Sequence, residues 1–110
     1  MERRAQAERR NRQLTVHGKR MQYMIIETFV DGPAPVYARF RERGRLMPDG
    51  LHYVSSVVSD DGRVCFQLME CDDRRLLDTW MSAWSDIVAY EVVPVISSSE
   101  AAQRFGSAGE

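Results

Sequence analysis

The stretch that decides the fold is Leu51–Cys71, LHYVSSVVSDDGRVCFQLMEC. Two runs rich in branched and aromatic residues, Leu51 to Ser59 and Arg63 to Cys71, flank Asp60-Asp61-Gly62. An Asp-Gly pair between two such runs is a strong short-range hairpin signal, because glycine accepts the positive φ that a tight turn demands. Upstream, Met21 to Val30 (MQYMIIETFV) reads as a strand stopped by Asp31-Gly32-Pro33. Pro35 suits the first turn of a helix whose apolar stripe is Val36, Tyr37 and Phe40 and whose end is Gly44. Met47-Pro48-Asp49-Gly50 turns the chain into the hairpin.

Downstream, Asp72 or Asp73 is expected to cap a helix with Leu76, Leu77, Trp80, Met81, Trp84, Ile87 and Val88 at intervals of three and four. A final strand, Ala89 to Ile96, contains Pro94, which lacks an amide hydrogen and therefore belongs at a sheet edge. Ser98 or Ser99 can cap one short helical turn in the polar tail. The order strand, helix, strand, strand, helix, strand predicts an α+β, ferredoxin-like βαββαβ domain. In it both helices cover one face of a four-stranded antiparallel sheet.

Alternation predicts that Tyr23, Ile25, Glu27 and Phe29 share one face and Gln22, Met24, Ile26 and Thr28 the other. Leu51, Tyr53 and Val57 should oppose His52, Val54 and Val58, and Tyr90, Val92 and Ile96 should oppose Ala89, Val93 and Val95. Both faces are largely apolar, so the face without helices needs cover. A second copy of the chain supplies it most simply, giving a homodimer whose sheets pack face to face, around a cavity if space remains.

The 110 residues fit one domain, with 44% hydrophobic and 28% charged residues. Charge is unevenly placed. Residues 1–20 carry seven basic against two acidic side chains, a net of +5, and the remainder eight basic against fourteen acidic, a net of −6. The expected organisation is a basic arm over 1–20, a domain over 21–97 and a polar tail over 98–110. The arm holds only Leu14 and Val16 as large apolar groups after Met1, which is not a secretory signal. No apolar run reaches membrane-spanning length. Nucleic-acid binding through the arm is disfavoured, since no basic strand interleaved with aromatics accompanies it. A cytoplasmic location is expected.

The segments VYARFRERGRLMPDGLHYVSS and CFQLMECDD, the helix carrying Trp80 and Trp84-Ser85-Asp86, and YEVVPV resemble the bacterial domain-of-unknown-function family 3303 over about residues 21–97. That family is similar in fold to the dimeric α+β barrels. Those barrels include cofactor-independent monooxygenases, lactone isomerases, chlorite dismutases and stress-responsive barrel proteins. The resemblance implies the fold and the dimer and no particular reaction.

Among chemistry-bearing residues, Glu27 lies mid-strand between apolar neighbours. A cavity there would desolvate its carboxylate and raise its pKa, as a general base requires. The structural alternative is a carboxylate held by an arginine or an amide. His52 is a second acid–base candidate, with solvation near a turn as the alternative. Tyr23, Glu27, His52 and Gln67 are the candidate cavity lining. Glu91 and Glu70 are weaker candidates. Cys65 and Cys71 lie about 20 Å apart along one strand, too far for an intrachain disulfide, and are expected to be reduced thiols. With His17 in the arm and His52 alone in the domain, no metal site is legible and no cofactor is expected. Trp80 and Trp84 read as core. Asp86 near a helix end calls for a partner, an arginine or an indole N–H. Arg39, Arg41, Arg43 and Arg45 read as a solvated face.

Two functions fit these residues: a dimerising or partner-binding module without catalysis, and a small-molecule site or cofactor-independent enzyme of monooxygenase or isomerase type using the inter-sheet cavity. The lack of a recognised triad, phosphate loop or metal cluster favours the first.

Overall fold

The computed structural model describes residues 20–106. The proposed basic arm, apart from Arg20, lies outside them, as do residues 107–110. Strand β1 (Met21–Phe29) leads to helix α1 (Pro33–Arg43), then β2 (His52–Val58), β3 (Val64–Cys71), α2 (Arg75–Ser82), β4 (Val88–Val95), and α3 (Ser98–Ala101) followed by one π-helical turn over Ala102–Gly106. The four strands form one antiparallel sheet in the order β2-β3-β1-β4. The fold is α+β. Among the described residues no helix is long and apolar enough to cross a membrane.

Each boundary has a local cause. Gly32 (φ 78°) bends the chain out of β1, its N–H donating to Phe29 O at 3.0 Å, and Pro33 then opens α1, where its missing N–H costs nothing. Gly44 (φ 71°) closes α1 and donates to Phe40 O at 2.8 Å. In the hairpin loop Gly62 takes φ 77°, while the Asp61 carboxylate accepts from Ser59 Oγ at 2.7 Å and Arg63 N at 3.0 Å.

Side-chain direction on β1 follows the alternation: Tyr23, Ile25, Glu27 and Phe29 are buried. The helices cover that face. Phe29 packs edge-on against Tyr37 of α1, and Trp80 of α2 meets Tyr90 of β4. Ile25, Met69, Cys71 and Leu77 are fully buried at the centre of this layer.

Three readings of the sequence need correction. Helix α2 ends at Ser82, not near Val88, because its last turn tightens: Ala83 N bonds Trp80 O and Trp84 N bonds Met81 O, three residues back. Trp84 and Ile87 remain buried, but on turns rather than helix. In β2 the register shifts between Tyr53 and Ser55. This bulge moves Ser56 and Val58 to the face of Tyr53 and puts Val57 with His52, opposite to strict alternation. The N-cap of the C-terminal helix α3 is Ser97, not Ser98 or Ser99, and its Oγ accepts from Glu100 N at 3.0 Å.

Among the described residues β4 pairs with β1 alone, so Pro94, opposite Tyr23, does sit on an edge strand.

Candidate functional site

A cavity of about 160 Å³ lies between the sheet and the two longer helices. Glu27 and Phe29 of β1, Ser56 and Val58 of β2, Cys65 and Gln67 of β3, and Val88 and Tyr90 of β4 form one side. Val36, Tyr37 and Phe40 of α1, with Arg45, Trp80 and Trp84, form the other.

Glu27 is the carboxyl among the lining residues. It is 6% exposed and stands between Cys65 and Tyr90, its partners on the flanking strands. Burial pushes its carboxyl up from 4.5 to about 7, against the opposing pull of the Gln67 hydrogen bond and the Arg45 charge. Gln67 Nε2 donates to Glu27 Oε2 at 2.6 Å, and Gln67 Oε1 accepts from Arg45 Nη1 at 2.7 Å. A neutral amide thus bridges a guanidinium and a carboxyl.

Arg45 reaches this position because α1 ends at Arg43 and Gly44 turns the chain away from the helix. Gly44 and Leu46 both take positive φ, 71° and 61°, and a left-handed backbone is costly for a leucine. Two contacts hold the segment: Trp80 Nε1 and Trp84 Nε1 each donate to Arg45 O at 3.1 Å. The guanidinium lies 3.8 Å from the Tyr53 ring centroid and 5.4 Å from that of Phe40. On α1, Arg39 holds both oxygens of Asp86, at 2.8 and 2.7 Å, donates to Ala83 O at 2.9 Å, and lies over Trp84. Asp86 therefore has an arginine partner, as expected, although it lies on the turn beyond α2 and not at a helix end, and the hydrogen bonds from Arg39 hold its carboxyl below the usual range.

Of the four residues expected to line one cavity, the structure brings Glu27 and Gln67 together and separates the others. Tyr23 is buried on the same sheet face but outside the cavity, under Arg74. His52 is exposed and pairs with Glu70, whose side chain bonds Gln22 and Arg20, so it occupies the opposite, helix-free face. Nor does Glu27 face an inter-sheet space: its face is the one under the helices. Glu91 is exposed opposite Ile26. Burial pushes the Cys65 thiol up to about 11 and raises that of Cys71, so neither is an activated nucleophile; both are free. Among the described residues no group of three or more His, Cys, Asp or Glu side chains could hold a metal.

Arg45 and Tyr90 were not singled out from the sequence. The signal for Arg45 was its place after Gly44: a residue beyond a helix stop no longer follows the helix's polar face. Tyr90 is brought beside Glu27 by the β1–β4 register, and burial, with the nearby Glu27 carboxylate, raises its hydroxyl pKa.

A family model described as "Domain of unknown function (DUF3303)" matches residues 21–109. No curated protein and no solved structure matches the chain.

Proposed function

The chain belongs to the DUF3303 family, and from that premise we propose a small homodimeric α+β barrel domain that receives an organic molecule in the cavity of each protomer, with Glu27 exchanging a proton with it. The observation that carries this reading is a carboxyl more than nine-tenths buried in the wall of a cavity that has six aromatic side chains around it, and that burial pushes it up to about 7. A carboxyl in that range is present in both protonation states near neutral pH, as general acid–base chemistry requires. Isomerase-type proton transfer needs little more than such a group and an oriented substrate.

The strand order, with β1 and β3 central, supports a ferredoxin-like arrangement. The helix-free face supports the dimer. Met24 and Ile26 of β1, Phe66 and Leu68 of β3, Val57 of β2 and Val93 of β4 share it by register, and Val57 is 66% exposed. Its charged and imidazole groups, Glu70, Glu91 and His52, lie at strand ends or on the edge strand. An apolar centre with a polar rim is the pattern of a self-complementary twofold interface. The same face favours a second reading, a dimerising module with no ligand chemistry. Free thiols at Cys65 and Cys71 accord with a reducing, cytoplasmic compartment.

The test is a thermal-shift screen of the full chain and its Glu27→Gln variant against small organic molecules at pH 8. A ligand at a hundred times its Kd adds about 2.7 kcal/mol. The cavity reading expects hits that the variant loses. Hits equal in both, or none, leave the module reading.

A further inference from the structure

The ligand class follows from which polar groups of the cavity already have partners, an argument that rests on the cavity reading above. The Trp80 and Trp84 N–H groups are both taken by Arg45 O, and both ends of the Gln67 amide are taken by Glu27 and Arg45. Ser56 Oγ is bonded to the Tyr53 hydroxyl at 2.8 Å. Gln67 meets Glu27 only at Oε2, which leaves Oε1 of a nine-tenths-buried carboxyl without a side-chain partner among the described residues. The hydroxyl of half-buried Tyr90 has none among them either. These two residues are direct partners in the β1–β4 ladder, where opposed side chains start about 5 Å apart.

We propose that Glu27 and Tyr90 together read the hydroxyl of a small uncharged phenol, which donates to Glu27 Oε1 and accepts from the Tyr90 hydroxyl while its ring lies among the aromatic walls. Size agrees: an apolar cavity of about 150 Å³ takes a benzene ring, and this one is about 160 Å³. Charge agrees too. The cavity already contains one carboxyl and one guanidinium, so a ligand carboxylate drawn by Arg45 also stands against Glu27, and a ligand ammonium drawn by Glu27 also stands against Arg45. A neutral hydroxyl meets neither penalty.

The ionisable groups around Glu27 are Cys65 and Tyr90 on the flanking strands, Tyr37 on α1 and Arg45 beyond it. Cys65 and Tyr90 are raised and keep their protons through neutral pH, and arginine keeps its charge. Binding that needs the Glu27 carboxylate is therefore about tenfold weaker at pH 6 than at pH 8.

The experiment is a titration of the full chain with phenol, benzoate and benzylamine at both pH values, using wild type, Glu27→Gln and Tyr90→Phe. The expected result is phenol as the tightest ligand, about tenfold tighter at pH 8, with several-fold loss in Tyr90→Phe, and Glu27→Gln binding phenol at neither pH more tightly than wild type does at pH 6. Tighter binding of benzoate or benzylamine overturns the phenol assignment and leaves the cavity reading standing, as does phenol binding that ignores Tyr90→Phe; phenol binding that ignores both pH and Glu27→Gln overturns the Glu27 role and the cavity reading with it. If none of the three binds, the phenol assignment falls, and the library screen decides separately whether the cavity reading falls with it.

Discussion

Trp80 and Trp84 donate their indole N–H groups to one acceptor, the backbone carbonyl of Arg45, each at 3.1 Å. Through that carbonyl α2 and the turn after it fix a residue of the loop after α1, and the fixed residue turns its guanidinium toward the Glu27–Gln67 pair. Replacing either tryptophan by phenylalanine keeps most of the apolar contact and removes one donor. Each single variant should lose about 1 kcal/mol in urea unfolding. The double variant leaves the carbonyl without either partner and should lose more than the sum of the two.

Stability should fall as pH rises through neutrality. Glu27 titrates near 7 in the folded protein and at its ordinary value, about 4.5, when unfolded. Between those values the folded chain binds more protons, so the stability it gains is complete below about 4.5 and is lost as pH climbs through 7. The difference between pH 5 and pH 8 is on the order of 3 kcal/mol. Glu27→Gln should flatten this dependence and raise the melting temperature at pH 8. Unfolding curves at the two pH values check it.

Gln67→Leu should push the Glu27 carboxyl above 7, because it removes the hydrogen bond that favours the ionised form. It also leaves Arg45 Nη1 without its amide acceptor. A loss of about 1–3 kcal/mol at pH 8, smaller at pH 5, is expected from unfolding curves.

Phe66→Glu tests the helix-free face. Phe66 pairs with Ile26 and Val57 on that face and is 38% exposed, so the charge has room in a monomer and none between packed apolar sheets. Sedimentation at micromolar concentration should show a dimer for wild type and a folded monomer for the variant. A wild-type monomer contradicts the dimer.

Much of this architecture could be read from local chemistry. The β1 run, the Asp-Gly hairpin and the glycine stop at Gly44 act within a few residues, and their outcomes appear in β1, the β2–β3 pair and α1. Glu27 and Gln67 were legible as polar residues on a face that is otherwise apolar. What escaped depended on tertiary demands. The α2 periodicity runs on to Val88, yet Trp84 is needed at the Arg45 carbonyl, and the last turn tightens to deliver it. The bulge beside Val54 carries no residue signature, so His52 could not be separated from the Glu27 face by alternation alone. Arg45 was grouped with the arginines of α1 although Gly44 had already ended that helix.

The central claim, that Glu27 is a buried proton-exchanging group, is tested most directly by following its side-chain carboxyl carbon by NMR through a pH titration of the full chain. The account predicts a midpoint of about 7, moving higher in Gln67→Leu. A midpoint near 4.5, the ordinary glutamate value, contradicts it.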